Sequence, residues 1–276
     1  MRTSTTILAL ALILITIGFY RIVNHNWVLW RHAEDANKSG DHQLALSTHN
    51  RLWSEGFKPT LVFPRLFSSY LQLGQPDKAA QVAREAVVVA QSSANSWHSK
   101  RTAEDGSSMP EWKARLNLSR ALSYTQQYPE AIAEYRRLLK MRPDLPQAQL
   151  ELARVFFWAG RGNEALLEFQ KAPVSVLQRD DRIIIADLSA TASLYEKAKL
   201  EYRQLLTELP GDLIVREKLA DLLSWSNQYD ESLREYEIIL RQSPDNIHAR
   251  RKYANVLIWD GQNQKAIEEL RKTLSH

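Results

Sequence analysis

The sequence contains no cysteine. That excludes a disulfide framework, a thiolate zinc site and a lipoprotein-type anchor cysteine, and leaves the redox compartment undecided. Charge of one sign is missing as a patch. The 36 basic and 32 acidic residues are scattered and leave a formal net charge of +4, whereas a nucleic-acid surface needs its basic residues gathered on one face. No nucleotide loop, Gly-rich dinucleotide turn, His-Glu-x-x-His pair or nucleophile elbow occurs. His42 and His49 share a helix face, as do His25 and His32, but each pair is about 10 Å apart along a helix, too far to share one ion. They read as partly exposed polar fillers. Acidic and basic residues recur mostly at i,i+3 and i,i+4, as on solvated helices. No catalytic, cofactor-binding or metal-ligating residue is assigned, and an enzyme is not expected.

Long apolar runs are absent except at the start. From Thr3 to Tyr20, 18 residues carry no charge, at the short end for a membrane-spanning helix. A cleaved leader begins the same way, but the only passable cut, Thr16-Ile17-Gly18, fits poorly. Tyr20, Trp27 and Trp30 suit the headgroup layer, and no Pro or Gly separates Phe19 from Lys38. Residues 1–25 are therefore expected to be a membrane anchor or uncleaved leader, with residues 3–20 in the bilayer. Arg2 with the α-amine on one side, against Arg21 and Arg31 on the other, leaves its orientation nearly tied.

What the rest of the chain does have is a period. Leu118-Ser119, Leu152-Ala153, Ile185-Ala186, Leu219-Ala220 and Tyr253-Ala254 follow one another at intervals of 34, 33, 34 and 34 residues. Each is followed at a fixed offset by a small residue (Ala131, Ala165, Ala198, Ser232, Ala266) and a large one (Tyr135, Phe169, Tyr202, Tyr236, Leu270). Such a period signals stacked helical hairpins with no single core centre. Phasing the chain as helix A, turn, helix B places repeats near 26, 60, 112, 146, 179, 213 and 247. Pro146 suits a first helical turn, and Pro143, Pro210 and Pro244 fall where helix B stops.

These residues resemble the tetratricopeptide repeat (TPR) family: small at the eighth position (Ala33, Ser119, Ala153, Ala186, Ala220, Ala254), small at the twentieth (Ala45, Ala79 and those above), and large at the twenty-fourth. Phe67 departs at the eighth position, and His49 and Ala83 at the twenty-fourth. The resemblance implies an all-α, right-handed solenoid of about seven helix–turn–helix repeats over residues 26–276, behind one N-terminal transmembrane helix. Between repeats two and three the period breaks, and a Ser-, Asn- and Gly-bearing stretch near 93–110 is expected to be an inserted loop. At the far end, Ala266, Ile267, Leu270 and Leu274 form a narrow apolar stripe among polar residues, so the last repeat is expected to cap itself.

In TPR proteins the fifth, ninth, twelfth and thirteenth positions of helix A line a concave groove. The ninth and thirteenth are one turn apart. Here the resemblance makes them Arg120/Tyr124, Arg154/Trp158, Asp187/Thr191, Asp221/Trp225 and Asn255/Trp259: two basic rungs, two acidic rungs, and a ring beside most. Either these rings meet a ligand or they fill the junction between helix A and its turn. At the fifth position, Leu116, Leu150, Ile183, Glu217 and Arg251 lack the Lys and Asn of the chaperone-tail binders. The resemblance implies a non-catalytic scaffold holding protein partners in its groove. The small-x-x-x-x-Trp spelling is similar to segments of bacterial polysaccharide-export machinery, which implies a bacterial inner-membrane setting, a single pass, a periplasmic solenoid and a part in exopolysaccharide synthesis or export. A glycan-binding module and a cytosol-facing anchored adaptor are the alternatives.

Overall fold

The computed structural model describes residues 24–94 and 110–274. The apolar run at 3–20, expected to be a membrane span, lies outside them, as does most of the loop expected near 93–110. Among the described residues there is no strand, and no helix is long and apolar enough to cross a membrane. Fourteen α-helices form seven antiparallel-reading pairs: α1 (His25–Lys38) with α2 (His42–Ser54), α3 (Pro59–Gln72) with α4 (Pro76–Ala94), α5 (Glu111–Tyr124) with α6 (Tyr128–Met141), α7 (Pro146–Trp158) with α8 (Gly162–Lys171), α9 (Arg179–Thr191) with α10 (Tyr195–Glu208), α11 (Leu213–Trp225) with α12 (Tyr229–Gln242), and α13 (Ile247–Trp259) with α14 (Asn263–Lys272). Two compact units divide between Asp144 and Leu145. The first holds three pairs, the second four.

Each pair closes because small residues let two backbones approach. The small eighth- and twentieth-position residues named above are all 2% exposed or less. Where the twentieth residue is Ser232, its hydroxyl donates to the Ala220 carbonyl at 2.8 Å, so even a polar group at the crossing is satisfied. The wedge beside the crossing is filled by Tyr135, Phe169, Tyr202 and Tyr236, each buried. In the second unit these wedges join continuous clusters, with Tyr202, Leu205, Val215 and Leu219 in one and Tyr236, Ile239, Ala249 and Val256 in the next.

The departures from the pattern have physical explanations. Phe67 is tolerated at the eighth position because it lies buried against Phe63, ring centroids 5.8 Å apart. His49 is not a partly exposed filler. It occupies the wedge position of its pair and is 1% exposed, whereas His25, His32 and His42 are exposed as expected. The C-terminal stripe is also corrected: only Ala266 is buried, while Ile267 is 46% and Leu274 82% exposed. Within helix α14 Ala266 faces inward, Leu270 is half-buried and Ile267 stands at the surface.

The turn between the helices is built identically in all seven pairs. Its fifteenth-position residue adopts the left-handed conformation: Gly40, Gly74, Gln126, Gly160, Ser193, Asn227 and Gly261, with φ from 59° to 88°. The next N–H then reaches back over the helix end, as from Asp41 to Ala36 O at 2.9 Å and from Gln228 to Leu223 O at 2.8 Å, a Schellman-type closure. Glycine adopts this backbone without strain; a side chain costs about 1–2 kcal/mol there. Gln126→Gly is therefore expected to stabilise the chain by up to about 1 kcal/mol, the relief being offset in part by a freer unfolded state. Urea unfolding with an unchanged slope and a higher midpoint is the expected result; a lower midpoint would contradict this account of the turn.

Candidate partner-binding face

The left-handed turn fixes where the thirteenth residue sits. It is the last residue of each later helix A: Tyr124 ends α5, Trp158 α7, Thr191 α9, Trp225 α11 and Trp259 α13. With the chain reversing immediately afterwards, these rings have little of their own hairpin to pack against. Tyr124 is 63%, Trp158 50%, Trp225 62% and Trp259 55% exposed. They do not fill the junction between helix and turn. Tyr124 belongs to the first unit; the three tryptophans hold the same register position in three of the four helix pairs of the second.

The ninth-position charges beside them are engaged. Asp187 accepts from the Tyr202 hydroxyl of its own pair and from Lys218 Nζ of the next helix A, at 3.0 and 2.8 Å. Asp221 repeats this one pair further on, accepting from Tyr236 OH and, at 2.6 Å, from Lys252 Nζ, which also reaches Glu217 Oε1 at 2.7 Å. Burial first, and then the accepting carboxylate, pushes both tyrosine pKa values far up, so neither hydroxyl ionises. Burial pulls Lys252 down, but its two carboxylates outweigh that and the net shift is upward. Arg154 is held differently. Its Nε and Nη2 donate to both oxygens of Asp181 on α9, at 2.7 and 2.8 Å, and Nη2 reaches Gln178 Oε1 at 3.3 Å. Asp181 is itself buried and accepts from the Gln178 backbone N–H at the start of α9. Asn255 is exposed, and Arg120, in the first unit, is half-buried. Among the described residues no group of three metal-binding side chains assembles.

Residues 116–176 match the family model described as tetratricopeptide repeat. Over that segment the chain is similar to a tetratricopeptide repeat. Solved structures share the fold. A tetratricopeptide repeat protein from Parabacteroides merdae is 16% identical, covers 91% of this chain and 92% of its own, and superposes with a TM-score of 0.54. YrrB, described as a TPR protein with an unusual peptide-binding site, is 18% identical over 65% of this chain and 92% of its own, with a TM-score of 0.53. MamA is 16% identical over 59% and 90%, also with a TM-score of 0.53. At such identities the likeness is of fold. No curated protein sequence matches the chain.

One set of repeating residues escaped the sequence reading. The fourth position of helix A pairs with the twenty-third, 19 residues on in helix B: Arg115 with Glu134, Gln149 with Glu168, Arg182 with Glu201, Arg216 with Glu235 and Arg250 with Glu269. Arg216 and Arg250 use a second nitrogen on the carbonyls of Pro210 and Pro244, at 2.8 and 2.6 Å. One guanidinium thus ties its own two helices to the end of the preceding one. The signal was present, as an Arg–Glu spacing of 19 recurring with the period. It was masked by the closer i,i+3 and i,i+4 neighbours, which draw attention to single helices instead of to pairs.

Proposed function

We propose that this chain is a non-catalytic tetratricopeptide scaffold that holds a peptide segment or helix of a protein partner on the tryptophan-bearing face of its second unit. The observation that carries this reading is the set Trp158, Trp225 and Trp259, each half or more exposed at the end of a helix A, the first two beside charges already paired within the fold. Exposed tryptophan supplies flat apolar contact area and one N–H donor, the combination that dominates binding hot spots. The neighbouring charges bear on register more than on attraction, because each is already neutralised. YrrB, of the same fold, is described as having a peptide-binding site, and the ring-bearing face is where such a segment would lie here.

The finer reading sets the scaffold in a bacterial envelope: anchored in the inner membrane through residues 3–20, with its repeats in the periplasm, in an assembly for exopolysaccharide synthesis or export. It rests on the uncharged N-terminal run and on the small-x-x-x-x-Trp spelling. A reporter fused after His276 should be active only on the periplasmic side; activity on the cytosolic side would instead identify a cytosol-facing anchored adaptor. The glycan-binding alternative draws on the same rings, since tryptophan faces also stack on sugars.

The full chain carrying Trp158→Ala and Trp225→Ala should recover its partners at least about tenfold less well than the wild type, with an unchanged unfolding temperature because both rings are exposed. Equal recovery of the same partners would refute the peptide-scaffold reading. A tryptophan fluorescence change or binding heat with acidic or neutral oligosaccharides, lost in the double variant, would establish the glycan reading in its place.

A further inference from the structure

The joint between the first two pairs differs from its later counterparts most in the wedge residue, which here is an imidazole. In α9–α10 and α11–α12 the wedge residue is a tyrosine that donates to the ninth-position aspartate of its own helix A, and that aspartate is tied to the sixth-position lysine of the next. In the first pair the same register positions hold His49, Glu34 and Arg65. Arg65 Nη2 donates to Glu34 Oε2 at 2.9 Å. His49 Nε2 stands 3.5 Å from Glu34 Oε1, too far for a good hydrogen bond. Neither ring nitrogen of His49 nor that carboxylate oxygen has a hydrogen-bond partner. The imidazole is 1% exposed and lies beside Trp30, ring centroids 5.2 Å apart. The charged groups acting on it are Glu34 from α1 and Arg65 from α3.

A tyrosine in this position keeps its proton at every ordinary pH, because burial and the adjacent carboxylate both favour the neutral phenol. An imidazole does not. We propose that His49 makes the attachment of α1–α2 to α3 a proton-operated release, in which the neutral ring lets the two pairs pack and proton uptake loosens them. Charge counting gives the direction. Glu34 is a single carboxylate already shared with the half-exposed Arg65, so a protonated His49 would place a second cation beside one anion, and this second cation stands out of reach of water. Burying that surplus charge is costly.

The direction of titration agrees. Burial, the largest influence, holds the His49 pKa below its usual 6.5; Glu34 opposes this and Arg65 adds to it. A group whose folded pKa is depressed contributes its full stability above the unfolded value, here about 6.5, and loses it as pH falls below that towards the folded value. The joint should therefore be firm at pH 7.5 and weakened at pH 5.5.

Backbone hydrogen exchange on the full chain, corrected for intrinsic rates, tests this. Protection of α1–α2 relative to α11–α12 should fall between pH 7.5 and 5.5, by about tenfold for each unit the pKa is depressed within that range. His49→Tyr, which installs the pattern of the later pairs, and His49→Phe should both remove the difference. An unchanged ratio in the wild type, or the same loss in both variants, would overturn the proposal. If either variant lacks ordered α1–α2 at pH 7.5, NMR titration of the wild-type His49 ring decides: a midpoint below about 6.5 supports the release, and one at or above it refutes the release.

Discussion

Two helices approach closely only where both present small side chains, and among the described residues every pair except α3–α4 crosses on Ala or Ser at both the eighth and twentieth positions. The rest of the local architecture depends on that contact. Close crossing leaves a wedge that a tyrosine or phenylalanine fills. The tyrosine hydroxyl then falls beside the ninth residue of helix A, and an aspartate there can take both that proton donor and a lysine from the next pair. Packing inside one hairpin thereby positions the polar link to its neighbour. Enlarging either small residue would push the ring out of its wedge and break the link as well, which is why a substitution at the crossing affects more than the methyl groups it adds.

The same chain of contacts separates structural residues from those available to a partner. Arg154, Asp187 and Asp221 look like recognition charges when only the groove pattern is considered. Each is consumed in joining neighbouring pairs of the second unit. Their charged partners come from later repeats, so no single hairpin shows them neutralised. The rings one turn further along are released by the same geometry: the left-handed residue two positions later ends the helix and leaves Trp158, Trp225 and Trp259 exposed. A face of exposed rings among neutralised charges is suited to a segment that brings shape and apolar surface more than net charge.

Much of this is legible in the sequence because a repeat supplies its own controls. The 34-residue interval, the small residues at the crossing and the large ones in the wedge mark the helix pairs from α5 onward, and the family model matches residues 116–176 among them. What the linear pattern hides is pairing across repeats. Lys218 and Lys252 read as surface lysines until the third dimension sets them against Asp187 and Asp221, and Arg216 and Arg250 look unremarkable until their reach of 19 residues is seen. His49 was legible as a departure from the wedge pattern. Its burial follows from the wedge itself, which encloses whatever residue stands there.

The division between structural charge and available ring is tested most directly by thermal unfolding of two variants on neighbouring turns of α11. Asp221→Ala removes the acceptor of a buried hydroxyl and of Lys252, at a cost of about 1–3 kcal/mol, and should lower Tm by about 2–8 °C. Trp225→Ala removes a ring that stands in water and should leave Tm within about 1 °C of the wild type. The opposite order, a stable Asp221 variant and a destabilised Trp225 variant, would contradict the assignment of the charge to the fold and the ring to the partner.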